Sequence, residues 1–311
     1  MLHLRVTCPA EVTGAVLDSL RNDPGAVHLT VLRGAAVDPP GDLVEADVAR
    51  EAADGVLAAL CALGVDHIGG VSLEPLDTVL SDASDAAERA APGDPDDAVV
   101  WDELVARTGG DSRLTFTFLA FLTLACLLAV VGVVTNSPVT VVGAMVVGPE
   151  FAPLAAIAVG VVLRRGDLVR RAALVLGVGF PLAMLIAAVG ALLGDLAGLI
   201  DPGAQATDQV DFIYDVGAFS FIVALLAGAA GMLSLTSAKS AALVGVFISV
   251  TTVPAAGFAV VAATAGDWRT AGFSTLQLLV NLVGIVLAGV LVLVLRTRRD
   301  HRNLGRPLSP G

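Results

Sequence analysis

From residue 114 onward the chain passes through six long apolar stretches, roughly 114–134, 137–163, 172–194, 216–238, 240–265 and 271–295. Each is long enough to cross a hydrocarbon core of about 30 Å as a helix rising about 1.5 Å per residue. The chain is therefore expected to contain an α-helical polytopic membrane domain, with the lipid bilayer as its first partner. Backbone polar groups in lipid have to bond within the helix or face protein or a water-filled cavity. Every interruption of a span is then informative.

Charged residues make up 15% of the chain, against about 25% in soluble domains, and they are unevenly placed. Residues 1–110 hold 20 acids and 6 bases, a balance of -14, while residues 111–311 hold 10 acids and 12 bases, a balance of +2. The acidic excess belongs to a soluble N-terminal part. Nucleic acid is not expected as a partner, because phosphate binding needs clustered Lys and Arg and this segment has the opposite sign. Cys8, Cys61 and Cys126 match no metal-ligand spacing and are read as packed free thiols, with no metal and no cofactor expected. Met1 leads into an alternating run rather than a basic stretch followed by an apolar one, so the N-terminal part is expected to stay in the cytosol.

Within residues 1–76, alternating runs at 2–7, 26–32, 43–48 and 68–73 read as strands. Helical periodicity follows Pro9 and Glu11, and again spans Glu51 to Leu63, where Val56, Leu57, Leu60 and Leu63 share one face. The order βαββαβ is the split-βαβ, ferredoxin-like α+β pattern. His3, His28 and His67 fall near strand ends, but without HxH or HxxxH spacing they read as surface or edge histidines. Residues 77–112 read as an acidic linker, 77–97, then an amphipathic interfacial helix, Ala98 to Thr108, with Trp101 at the membrane surface and Gly109-Gly110 as a hinge.

Residues 113–296 form the expected six-span domain and 297–311 a basic tail. Six crossings put both termini on one side. Arg113, Arg164, Arg165, Arg170, Arg171, Lys239, Arg296, Arg298, Arg299, Arg302 and Arg306 fall on that side, and Arg269 on the other. Basic residues near spans are retained in the cytoplasm, so the expectation is a multi-pass plasma-membrane protein with both termini cytoplasmic.

Residues 114–194 and 216–295 resemble each other at an offset of about 100. Thr135-Asn136-Ser137 is echoed by Thr236-Ser237, Val142-Gly143 by Val244-Gly245, Pro153 by Pro254, and Gly166-Asp167 by Gly266-Asp267. Three crossings per copy is an odd number, so the copies run oppositely through the bilayer, an inverted 3+3 repeat. In each copy the middle span is interrupted. Span two carries Gly148-Pro149 and Pro153, and span five carries Thr251-Thr252 and Pro254. A proline removes a donor and clashes with the preceding turn, and a helix broken at mid-depth presents a dipole end to an ion. A plain kink packed against neighbours is the alternative.

Glu150 lies inside the first break and is the one ionisable side chain well within any span. A charged carboxylate there costs a few kcal/mol, so Glu150 reads as a proton carrier or cation ligand, or else as a carboxyl that caps the broken helix. The candidate substrate or ion site is Gly148, Pro149, Glu150, Pro153, Thr251, Thr252 and Pro254, with Asn136, Gln277 and Asn281 as secondary candidates.

Thr135-Asn136-Ser137 leading into Gly143-Ala144-Met145-Val146-Val147-Gly148-Pro149, then Pro153 and Gly166-Asp167, resembles the bacterial and archaeal hydrophobic family known as domain of unknown function 389. The resemblance covers roughly residues 110–265. It implies an integral membrane protein without supplying a mechanism. Family members often have an apolar residue where this chain has Glu150, which implies a role for that acid confined to a subgroup.

The expected function is a transporter or channel-like protein for a small solute or ion, regulated or oligomerised by the cytoplasmic domain and assembled as a homo-oligomer. The alternative is a non-transporting sensor or scaffold whose soluble domain binds a small molecule. Enzyme activity is not expected, since no HExxH, GxSxG or paired aspartates occur within the spans.

Overall fold

The computed structural model describes residues 1–91, 93, 98–198, 218–237 and 251–304. They fall into two compact units, one built on Met1–Glu103 and the other on Leu104–Leu295, each described by itself.

The first unit is a four-stranded antiparallel sheet with helices against one face. Its strands are β1 (Leu2–Cys8), β2 (Ala26–Val37), β3 (Pro40–Val48) and β4 (Gly70–Pro75), in the order β2-β3-β1-β4. Helices α1 (Thr13–Arg21) and α2 (Ala53–Ala62) follow β1 and β3, and a short helix α3 (Val65–Ile68) leads into β4. Strand side chains alternate between faces. Leu2, Leu4, Val6 and Cys8 of β1 and Val44, Ala46 and Val48 of β3 therefore enter one core with Val16, Leu20, Val56 and Leu60 of the helices. The opposite face is polar: His3 pairs with Asp47 and Arg5 with Glu45 across β1 and β3.

Two expectations for the following segment are corrected. The acidic linker is not irregular throughout, because it contains α4 (Asp82–Ala90). Ser81 caps that helix by accepting from Ala83 and Ser84, and Asp82 and Asp85 sit in its first turn, where the helix dipole favours them. Nor do Gly109 and Gly110 form a hinge: both lie inside α5 (Trp101–Asp111). The N-terminal turn of α5 is tied to α2, with the Trp101 N–H donating to Asp54 at 3.1 Å, and Arg50 pairs with Glu103 at 3.0 Å.

The second unit is helical. It contains α6 (Phe116–Val134), α7 (Pro138–Val147), α8 (Phe151–Val162), α9 (Gly166–Leu196), α10 (Ala218–Thr236), α11 (Thr252–Thr264) and α12 (Trp268–Leu304). Among the described residues, four helices are long and apolar enough to cross a membrane, or five when the bent pair α7 and α8 counts as one span. The first half of the expected fifth span, with Val244-Gly245, lies outside the described residues. The long helices expose Leu124, Leu185, Leu226, Leu279 and Leu287, the greasy exterior that acyl chains require. By contrast α11 is buried from Thr252 to Val260, packed against α6, α7 and α9. Its Gly257 allows this. A Cβ there would sit 2.5 Å from the Ala129 Cβ and 3.0 Å from the Ala129 carbonyl carbon of α6.

Candidate functional site

The interruption of span two has a local cause. A residue before proline is biased away from the helical region, and Gly148, before Pro149, takes φ -64° and ψ 127°. A helix running unbroken through Pro153 would drive its ring into the carbonyl of residue 149. The chain therefore stops at Val147 and restarts at Phe151, with α7 and α8 bent by 51°. Pro153 is the third residue of α8 and Pro254 the third residue of α11. In a first turn the N–H lacks an intrahelical partner, so the missing donor costs nothing. Each proline thus opens a helix rather than kinking one.

These two helix starts meet at Glu150. Its side chain is 4% exposed and does not cap its own helix α8. Instead Oε1 accepts a hydrogen bond from the Thr252 hydroxyl, in the first turn of α11, at 2.5 Å. The other oxygen, Oε2, is buried without a hydrogen-bond partner among the described residues. Gly148 makes room for the carboxyl: a Cβ there would collide with Oε2 and lie 2.9 Å from the Val253 side chain.

Next to Thr252, Thr251 continues the polar contacts into α12. The Asn281 amide donates to the Thr251 hydroxyl at 2.8 Å, and the Gln277 amide donates to Asn281 Oδ1 at 3.0 Å. Gln277 Oε1 is buried and without a hydrogen-bond partner among the described residues. The structure thus joins Glu150 and Thr252 directly, lays Gly148 and Val253 against them, and links Thr251, Asn281 and Gln277.

Asn136 is not part of this group. It has φ 49° and closes the α6–α7 turn, where the Ser137 N–H returns to the Gly132 carbonyl at 2.8 Å. Ser137 then caps α7, with Pro138 as its first residue. The length of α7, roughly 15 Å at the helical rise, separates that turn from the break.

The turns ending α8 and α11 are closed alike. The Arg165 N–H bonds to the Gly160 carbonyl at 2.7 Å and the Asp267 N–H to the Ala262 carbonyl at 2.9 Å. The left-handed residues are Arg164 in one and Gly266 in the other. The pairing of Gly166-Asp167 with Gly266-Asp267 is therefore out of step by two residues, since Gly166 already begins α9.

Sequence reasoning passed over Ser274, fully buried on α12. Ser274, Gln277 and Asn281 recur at helical spacing, a polar row in an otherwise apolar span. Cys126 of α6, read from the sequence as a packed free thiol, is buried and within electrostatic reach of Glu150. In the first unit, His3 and His28 share one carboxylate: their Nδ1 atoms lie 2.9 and 2.8 Å from the two oxygens of Asp47.

No curated protein and no solved structure matches the chain. Residues 145–287 match the model of a family described as domain of unknown function (DUF389). The match runs from Met145, just before the break, into α12, and so includes Glu150, Thr251, Thr252, Gln277 and Asn281 while leaving Asn136 outside. Through this segment of its membrane unit, the chain is similar to the domain of unknown function 389 family.

Proposed function

We propose that the protein is a membrane transporter or channel-like protein that passes a small solute or ion by way of Glu150. One observation carries this reading: a carboxyl buried in an apolar helical unit, held by a single hydroxyl from a second helix start, with its other oxygen unpartnered. An intramembrane acid is costly to keep and marks proton relays and ion pathways. Broken helices whose starts face one site are how many transporters hold a charge at mid-depth.

The third-residue prolines of α8 and α11 and their matched closing turns support an inverted repeat, 114–194 and 216–295, with six spans in all. The strand order β2-β3-β1-β4 supports a ferredoxin-like first domain that regulates the spans or pairs subunits in a homo-oligomer. The bias of basic residues supports cytoplasmic termini in the plasma membrane.

The test is ion flux into proteoliposomes under imposed proton and sodium gradients. Wild-type protein is expected to move one of them, and Glu150→Gln, assembled normally, to lose that dependence. Absence of wild-type flux together with tolerance of Glu150→Gln would replace this reading by that of a sensor or scaffold.

A further inference from the structure

The buried polar row of α12 has a direction. Ser274 and Gln277 lie between Thr270, at the turn joining α11 and α12, and Asn281, which bonds Thr251. Beyond Asn281 the same buried face turns apolar, with Ile285, Ala288 and Leu293. The stretch from Thr270 to Asn281 rises roughly 16 Å, about half of a hydrocarbon core near 30 Å thick. The row thus reaches from one end of α12 to the depth of the helix starts and stops there.

The chemistry left open along it is one-sided. The amide donors of Gln277 and Asn281 are taken up within the row. Gln277 Oε1 on the row and Glu150 Oε2 at its end are both buried oxygens without a hydrogen-bond partner among the described residues. Oxygen acceptors flanked by hydroxyls suit a hard cation, and a single carboxylate supplies charge for a monovalent one, whereas divalent sites gather more ligand charge. At the turn, the Thr270 hydroxyl and N–H hold Asp267 below the usual carboxylate range. Arg269 lies over the Phe273 ring, 5.8 Å from its centre. The first-turn N–H groups of α11 offset part of a negative charge on Glu150.

We propose that Ser274, Gln277 and Asn281 form the route by which a monovalent cation reaches Glu150 from the membrane side that carries the α11–α12 turn. This rests on the transport reading above and adds the substrate class and the side of access. A proton and a sodium ion share the required chemistry. Among the described residues, the Cys126 thiol of α6 is a titratable group within electrostatic reach of Glu150.

The test uses full-length protein in sealed proteoliposomes of known sidedness, with the exposed Cys61 replaced by Ser. Single variants Ser274→Cys and Gln277→Cys are compared with Leu276→Cys, whose side chain is 48% exposed on the apolar exterior. Impermeant cationic and anionic thiosulfonate reagents are applied to each side in turn. At Ser274→Cys and Gln277→Cys, the expected result is modification from the turn side only, at least tenfold faster for the cationic reagent. Leu276→Cys is expected to resist.

Protection by sodium at fixed pH identifies sodium as the occupant, and labelling indifferent to sodium, with Glu150-dependent flux that follows the proton gradient, identifies the proton. Equal rates for both reagents, labelling from the opposite side, or labelling no faster than at Leu276→Cys overturns the proposal. Flux that depends on Glu150, with Ser274→Cys unreactive, overturns the route and leaves the transport reading standing. A reactive, cation-protected route without any flux keeps the route and removes transport.

Discussion

The contact between Thr252 and Glu150 joins positions 102 residues apart, and its strength depends on the charge that Glu150 carries. A double-mutant cycle measures it. Thr252→Val keeps the volume of a side chain that has no solvent exposure and removes only the hydroxyl. Glu150→Met keeps an unbranched chain and removes the acceptor. A buried hydrogen bond between neutral groups contributes about 0.5–1.5 kcal/mol, and one to a charged group about 1.5–3 kcal/mol. Thr252→Val alone leaves both carboxyl oxygens unpartnered, which raises its cost by roughly 1–3 kcal/mol. Unfolding of the four proteins in mixed micelles, followed by circular dichroism, gives the coupling energy. A value above about 1.5 kcal/mol reports an ionised Glu150 and one near 1 kcal/mol a neutral carboxyl. Independent sites add to within about 0.3–0.5 kcal/mol, so coupling inside that band would refute the contact on which the site is built.

Two further outcomes are expected. Gly148→Ala pushes a methyl against the Glu150 carboxyl and Val253, whereas Gly143 has nothing within 4 Å of an added Cβ. The first substitution should lower thermal stability and ion-dependent flux and the second leave both intact; equal behaviour would dismiss the close approach at the break. In the first unit, Asp42 is held below its usual range by the Gly34 N–H, then by the Thr13 hydroxyl and Arg33. Burial raises Asp47, but hydrogen bonds from His3 and His28 outweigh it and leave it lowered as well. A depressed carboxyl contributes stability that is complete above its unfolded value, about 3.9, and is lost as pH falls through the folded one. Denaturant unfolding of the full chain, read by Trp101 fluorescence in a Trp268→Phe background, should therefore weaken below about pH 4. That acid dependence should be shallower in Asp42→Asn and Asp47→Asn, and unchanged steepness in both would count against these bonds.

Much of the local structure is legible without coordinates because its causes are local. Gly148-Pro149 with Pro153 stops one helix and starts another wherever the chain lies, since ring geometry decides it. Alternation in β1 and β3 names the residues that enter the core. Where sequence reading went astray, a neighbour intervened. The acidic stretch around Ser81 has the caps of a helix, and its Ala87 and Ala91 are buried in the structure, an outcome that composition disguised. Gly109 and Gly110 are permissive residues, and permissiveness does not require a bend.

The amino-acid sequence alone determined that the second part of the chain forms helices apolar enough to cross a membrane, that one apolar stretch is broken around a lone acid, and that an acidic α+β unit precedes them. Hydrophobicity, proline geometry and charge act through each residue's own chemistry and need no partner. Only the tertiary structure decided that Thr252 is what Glu150 touches, that Asn281 reaches back to Thr251, and that Asn136 sits in the turn between α6 and α7. Apolar spans are interchangeable by composition. Which faces meet depends on how closely small residues such as Gly257 let two backbones approach, and that is a property of the packed pair.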